Sequence, residues 1–202
     1  MNKFFAPLRR KKLKSADFTI ISNNCWAGHV YRYFGLPYNT PTVGLYIWAQ
    51  DYMTLLSDLK GFMSQPLEII DYKESNHFEE IEKRGEISPI GRLNYNGKQV
   101  EIVFLHYKNA EEALEKWTRR AKRINYDNLI IKNSYQNGFT DELLKQFDAL
   151  DYDKKLCFTP KPMQQYNCTV WFKSKTADEL SNDTNDFRKY INLISFINGD
   201  EK

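Results

Sequence analysis

The 202-residue sequence is poor in cysteine and in long apolar runs. Cys25, Cys157 and Cys168 show no metal-ligand spacing, and an odd number leaves at least one thiol unpaired. Cys157 and Cys168 could meet across neighbouring strands, but a reduced cytoplasm is the simpler interpretation. No run approaches the roughly 18 apolar residues that a spanning helix needs. The apolar stretch at residues 4–8 is too short for a signal peptide, so we expect a cytoplasmic protein.

A net charge of one sign is also lacking, because 29 Lys and Arg face 26 Asp and Glu. This balance argues against a dedicated nucleic-acid binder, and we do not expect nucleic acid as a partner. The positive charges are nevertheless concentrated in a basic leader at residues 1–16. Two interpretations of the leader stay open: peripheral contact with an anionic membrane, and a solvated, partly frayed and flexible terminus. Its basic residues are Lys3, Arg9, Arg10, Lys11, Lys12 and Lys14.

The common catalytic and phosphate-binding motifs are missing as well. The sequence has no dinucleotide glycine pattern, no phosphate loop, no Gly-x-Ser-x-Gly elbow, no Asp-x-Asp and no carboxylate–His metal motif. We therefore predict no metal site, and the cofactor stays unknown. What the sequence does have is a 15% share of aromatic residues, which fill cores but also line sugar and base pockets.

Strand-like and helix-like segments alternate along most of the chain. Asn96-Gly97 between two β-prone runs is typical of a tight hairpin turn, since both turn residues favour positive φ. We expect one α/β domain over residues 17–202, with a mixed, largely parallel sheet, flanking helices and an antiparallel hairpin near residues 92–106. The predicted strands are 17–22, 43–48, 67–72, 92–95, 99–106, 127–132, 155–158 and 169–173, and the predicted helices are 25–34, 51–63, 110–124, 141–150 and one between 177 and 197.

The junction between the first strand and the first helix of this domain is the leading candidate site. In α/β proteins such a turn lies at the carboxyl edge of the sheet, where free N–H groups of the helix favour an anion. Ser22, Asn23 and Asn24 offer hydrogen bonds to sugar hydroxyls. The helix field should lower the pKa of the Cys25 thiol, and His29 lies on the same face. Alternatively, Cys25 is a small buried residue and the polar residues only cap the helix.

His106 and the loop 35–44 form a second group of candidates. A histidine at the carboxyl end of a strand suits general acid–base chemistry, because its pKa lies near neutrality. The alternative is a core or loop histidine bonded to the backbone. Tyr38 and Asn39 in the loop could form a wall for a carbohydrate, and Trp26 flanks the junction.

A row of basic residues on the helix predicted over 110–124 could bind phosphate. Arg119 and Arg120 carry guanidinium groups, which hold phosphates through two parallel hydrogen bonds. Glutamates one turn earlier, at 112 and 115, allow the alternative of a solvated face of ordinary ion pairs.

Several of these segments resemble a bacterial family of unknown function whose members are often labelled exopolysaccharide biosynthesis proteins. The similarity runs from about Asp17 to about Phe158, and Ala27 stands where the family usually has a second glycine. It implies a cytoplasmic α/β protein encoded among capsule or surface-glycan enzymes. The segments that carry it are Ile20–Gly28, Tyr31–Pro41, Val43–Leu45, Phe104–Tyr107, Ala113–Arg120 and Asp127–Ile131.

We therefore expect a sugar-modifying transferase of surface-polysaccharide biosynthesis, acting on an activated sugar or a lipid-linked glycan. A thiol or imidazole would supply the nucleophile or base, amides would orient the sugar, and guanidinium groups would hold phosphate. The alternative is a non-catalytic module of the same pathway that binds a nucleotide sugar or glycan. The expected catalytic residues are Cys25, His29 and His106, and the expected substrate-binding residues are Ser22, Asn23, Asn24, Trp26, Tyr38, Asn39, Arg119 and Arg120.

Overall fold

Two four-stranded sheets organise the part of the chain that the computed structural model describes, which is residues 5–85, 88–174, 178–180 and 183–200. The strands are β1 (Thr19–Ser22), β2 (Tyr46–Ile47), β3 (Glu68–Ile70), β4 (Ile90–Tyr95), β5 (Lys98–Val103), β6 (Leu129–Ser134), β7 (Lys155–Thr159) and β8 (Thr169–Trp171). The helices are α1 (Ala6–Arg10), α2 (Trp26–Phe34), α3 (Ala49–Ser57), α4 (Leu59–Met63), α5 (Phe78–Arg84), α6 (Ala110–Ala121), α7 (Asp141–Ala149), α8 (Asp183–Asp186) and α9 (Leu193–Asn198).

The first sheet is parallel throughout, in the order β1-β6-β7-β8. Ile21 pairs with Ile131, and Asn133 pairs with Cys157. Both faces of β1 and β7 are covered, which explains their nearly continuous apolar sequences. The prediction of an α/β fold with a parallel sheet and flanking helices is confirmed.

The second sheet is antiparallel, in the order β2-β5-β4-β3. Its β4–β5 hairpin confirms the predicted turn, because Asn96 and Gly97 have φ values of 49° and 71°. The hairpin belongs to this separate sheet and does not extend the parallel one. Strand β5 ends at Val103, so the predicted strand 99–106 is three residues too long, and His106 lies in the connection to α6.

One hydrophobic core joins the two sheets. Ile21 and Ile131 of the parallel sheet pack in the same cluster as Leu93 and Ile102 of the antiparallel sheet. The buried Tyr52 hydroxyl lies at hydrogen-bonding distance, 2.9 Å, from the backbone carbonyl oxygens of both Ile21 and Lys132. On its other face, the parallel sheet packs against α2 and the C-terminal segment through a second cluster. The carboxyl ends of β1 and β6 are thus held firmly beside α2.

Two predicted helices are broken in the structure. The helix predicted over 51–63 is α3 followed by α4, because Asp58 leaves helical geometry (φ −153°) and its side chain caps α4 by accepting from the Gly61 N–H at 2.9 Å. The helix predicted between 177 and 197 is α8, a 3₁₀ turn at Phe187–Lys189 and α9, which Asn192 caps separately. Residues 177, 181 and 182 of that prediction lie outside the described residues.

The basic leader contains α1, which packs on α2. Arg9 donates to the Tyr33 carbonyl oxygen at 3.0 Å and lies over the Tyr33 ring, 4.2 Å from its centroid. Arg10 donates to the Gly35 carbonyl oxygen at 3.3 Å. Of the helices in the described ranges, none combines the length and the apolar character needed to cross a membrane.

Candidate functional site

The junction from β1 to α2 is capped by its own side chains. The Trp26 N–H donates to Asn24 Oδ1 at 3.1 Å, and the Ala27 N–H donates to Ser22 Oγ at 3.4 Å. The Ser22 hydroxyl in turn donates to the Asn24 carbonyl oxygen at 2.6 Å. These two N–H groups are therefore not free for an anion, contrary to the expectation that they would hold one.

A buried charged cluster lies under the junction. The Lys132 ammonium, fully buried at the end of β6, contacts Asp183 Oδ2 at 2.5 Å and Asn24 Oδ1 at 2.9 Å. Asn24 Nδ2 donates to Asp183 Oδ1 at 3.0 Å, and the Ser134 hydroxyl donates to Asp183 Oδ2. Burial lowers the pKa of Lys132, and the adjacent Asp183 carboxylate opposes that shift. The cluster ties β1, β6 and α8 together at the carboxyl edge of the parallel sheet.

A cavity of about 400 Å³ opens beside this junction and brings together much of the predicted site. Its walls come from the start of α2, the loop 38–44, the segment after β5 and one face of α6. Arg32, Lys116 and Arg120 line it, and within the described ranges no aspartate or glutamate does, although Lys116 pairs with Glu112 at 2.5 Å. We call it the cationic cavity. It also contains Cys25, Gly28, His29, Tyr38, Val43, Gly44, His106 and Tyr107.

Arg120 is the most unusual group of the cationic cavity. It is only 7% exposed, and among the described residues it forms no ion pair with a carboxylate. Its Nη1 donates to the Tyr107 hydroxyl at 2.8 Å, and its guanidinium lies 5.0 Å from the centroid of the Tyr38 ring. A buried charge without a counter-ion is costly unless a ligand compensates it. The cavity can therefore accommodate an anion beside this guanidinium.

Gly44 lets the loop approach the histidine segment closely. Its φ of 72° suits glycine, and its carbonyl oxygen accepts from the His106 N–H at 3.0 Å. A Cβ at this position would lie 3.3 Å from His106 Cβ. The Tyr107 hydroxyl donates to the Val43 carbonyl oxygen at 2.5 Å. These contacts place His106 in the lining of the cationic cavity.

Cys25 sits at the N-cap of α2 as a half-buried thiol. Its Sγ donates to the Leu45 carbonyl oxygen at 3.6 Å. Burial raises its pKa above 9.0, although the Lys132 ammonium opposes the shift. This direction is the opposite of the predicted lowering, because desolvation of the thiolate outweighs the favourable charges nearby.

His29 has the electrostatic setting of a neutral imidazole. Partial burial lowers its pKa below 6.5, and the Arg32 guanidinium lowers it further, while the Asp183 carboxylate opposes the shift. At pH 7 the ring is therefore uncharged and can accept a proton.

The structure places the remaining predicted residues away from the cavity. Three of them, Ser22, Asn23 and Trp26, are fully buried, so a ligand in the cationic cavity does not contact them. Asn23 Nδ2 donates to the Ser134 carbonyl oxygen at 3.2 Å. Asn39 lies outside the cavity lining, and its carbonyl oxygen accepts from the Thr19 hydroxyl at 2.9 Å. Arg119 is exposed and pairs with its neighbour on α6, glutamate 115, at 3.2 Å.

The residues predicted from the sequence do not include Lys132, Ser134 and Asp183. The only local signal was a lysine directly after the apolar run 129–131 in a strand that is otherwise buried. Metal-type clusters of three or more His, Cys, Asp or Glu side chains are absent from the described part of the chain.

Two comparisons with known proteins bear on this chain. Residues 1–198 match the model of the family described as "Domain of unknown function (DUF1919)". A protein of Haemophilus influenzae, itself described as uncharacterized, is 28% identical over 193 residues, which are 93% of this chain and 86% of that protein. Neither description mentions polysaccharide synthesis, sugar transfer or a ligand.

Proposed function

We propose that this chain, which belongs to the DUF1919 family, is a sugar-modifying transferase of bacterial surface-polysaccharide biosynthesis whose donor carries a phosphate or diphosphate group. The observation that carries the proposal is the buried Arg120 guanidinium, which has no carboxylate partner among the described residues and lines a cavity with two further cations. Guanidinium groups bind phosphate oxygens in pairs, and a nucleotide sugar or lipid-linked sugar offers such oxygens.

Transfer from such a donor needs a base and a stabilised leaving group. The neutral imidazole of His29 can take the proton of an acceptor hydroxyl, and His106 supplies a second imidazole on the same wall. Arg120 and Lys116 can stabilise the charge that develops on the departing phosphate. A Cys25 nucleophile would first have to lose its proton, which its burial opposes.

The test is release of nucleotide from a panel of UDP- and GDP-hexoses, with a membrane extract as the source of acceptor. We expect His29→Gln to lower turnover by about 10²–10⁴-fold, the usual contribution of a positioned acid–base group.

The rate of the wild type should fall as the pH drops through the His29 pKa, below 6.5, because the protonated ring cannot accept a proton. His77→Gln is the matched control, since His77 binds Asp51 at 2.9 Å outside this cavity. Equal rates for His29→Gln and the wild type would refute the assignment.

The cationic side chains of the cavity also support a second candidate, a non-catalytic module that binds a nucleotide sugar or glycan of the same pathway. It uses the same cations but needs no activated nucleophile. Binding of a nucleotide sugar without any turnover would favour this candidate over the transferase.

The N-terminal helix supports an anionic membrane surface as a partner. Leu8 is 57% exposed, and the neighbouring Lys11 and Lys12 ammonium groups have no side-chain partner among the described residues. We expect Leu8→Asp to weaken binding to phosphatidylglycerol vesicles by about tenfold, since an apolar anchor is lost and a repelled charge is gained. Leu114→Asp, at an exposed leucine of α6, should bind as the wild type does in the same sedimentation assay. Equal losses for both variants would contradict a contact through α1.

A further inference from the structure

A second cavity, of about 300 Å³, lies next to the cationic cavity. Cys25, His29 and His106 line both, so the chemically active side chains form the boundary between the two. A group bound in the second cavity is therefore adjacent to the same imidazoles as a phosphate donor in the first.

The second cavity has a lining of different chemistry. Gln136, Asn137 and Thr184 provide amide and hydroxyl groups, and Leu45 and Leu105 provide apolar surface. A lining that combines uncharged polar groups with apolar surface matches the hydroxyls and the C–H faces of a saccharide. The cationic cavity, in contrast, is lined by three cationic side chains, of which Lys116 pairs with Glu112 at 2.5 Å.

The two charged residues of the second cavity are already engaged within the protein. Asp183 is held by the buried Lys132 ammonium at 2.5 Å. Arg84 is exposed to solvent, lies over the Trp48 ring at 4.3 Å from its centroid, and donates to Asn137 Oδ1 at 3.2 Å. A ligand here consequently has no buried, uncompensated charge to neutralise.

Hydrogen-bonding capacity nevertheless remains in this cavity. Neither the Gln136 side-chain amide nor the Thr184 hydroxyl has a partner among the described residues, and both side chains are only half-buried. Each can both donate and accept, as recognition of sugar hydroxyls requires.

We infer that the second cavity is the acceptor subsite and binds an uncharged saccharide, an inference that rests on the proposed transferase function. In the transfer step, the acceptor hydroxyl gives its proton to His29 and its oxygen bonds to the anomeric carbon of the donor. The bond between that carbon and the phosphate oxygen breaks, and the phosphate leaves with the electron pair beside Arg120 and Lys116. Donor and acceptor thus occupy separate cavities on either side of the imidazoles.

The experiment is calorimetric titration of the full chain with UDP and, separately, with methyl glycosides of glucose, galactose, mannose and N-acetylglucosamine. The double variant Gln136→Met, Thr184→Val removes the two unpartnered polar groups and nearly preserves their shape. We expect about tenfold weaker saccharide binding from the lost hydrogen bonds, and unchanged UDP binding. The control is Gln50→Met, Thr118→Val, two exposed positions on α3 and α6, which should bind both probes as the wild type does.

The outcomes separate the two proposals. The subsite is supported if the wild type binds a saccharide and the double variant does not, whether or not UDP binds. If the saccharide binds but UDP does not, the result counts against the phosphate donor and leaves the subsite supported. UDP binding with no saccharide binding overturns the subsite. Mutual exclusion of UDP and saccharide also overturns it, because the two cavities would then hold one ligand. Thermal unfolding within a few degrees of the wild type verifies that the variants are folded.

Discussion

Replacing Arg120 by methionine is expected to weaken UDP binding strongly without loss of stability. The wild-type guanidinium is 7% exposed and has no carboxylate partner among the described residues. Removal of such a charge relieves a desolvation cost, so the free energy of unfolding should stay the same or rise. The loss of a buried charge-assisted contact should weaken UDP binding by about thirtyfold or more. Urea unfolding and calorimetric titration measure the two effects.

Arg119→Met is the matched control for this experiment. Arg119 is the preceding residue on α6, but its side chain is 51% exposed and it pairs with Glu115 at 3.2 Å. An exposed pair at this spacing contributes at most about 1 kcal/mol, so stability should change little and UDP binding should persist. Equal weakening by both substitutions would mean that a general positive field, and not the cavity, attracts the ligand. Unchanged binding by Arg120→Met would contradict the phosphate site outright.

The contrast between these two arginines illustrates what the sequence could predict. Helical periodicity placed both on α6, and both were proposed to bind phosphate. Arg120 lies three residues after Trp117 and seven after Ala113, so it continues the buried stripe, whereas Arg119 does not. The sequence therefore carried the signal that distinguishes them. Which cavity the stripe would face depended on the packing of α6 against the loop 38–44, which no local pattern reveals.

The two histidine predictions also show which features of a site local sequence patterns cannot predict. His29 and His106 were proposed from separate local patterns, a strand-to-helix junction and a strand end, and the structure brings them to one cavity wall. Their meeting depends on Gly44, whose positive φ allows its loop to contact the His106 segment. The direction of the Cys25 pKa could not be derived locally, because it depends on how far tertiary packing buries the thiol.

Lys132→Met should be among the most destabilising substitutions in this protein. The Lys132 ammonium is fully buried and contacts Asp183, Asn24 and Ser134, so its removal leaves the Asp183 carboxylate buried and uncompensated. Breaking a buried ion pair from one side costs about 3–5 kcal/mol. Urea unfolding of Lys132→Met against the wild type measures this cost. Lys161→Met is the control, because Lys161 pairs with Asp141 at 3.4 Å on the surface and should contribute at most about 1 kcal/mol.

The double variant Lys132→Met, Asp183→Leu distinguishes the charge from the packing. It removes both ions, so it should recover much of the stability lost in Lys132→Met, since apolar replacements of a buried pair are often neutral. Ligand binding should be weakened in Lys132→Met and should stay weak in the double variant, because Asn24 Oδ1 accepts both from Lys132 and from the Trp26 N–H that begins α2. Without the ammonium, the start of α2 loses a fixed support, and His29 one turn later loses its fixed position against the cationic cavity. A double variant as unstable as Lys132→Met would show that packing, not charge compensation, dominates at this edge of the sheet.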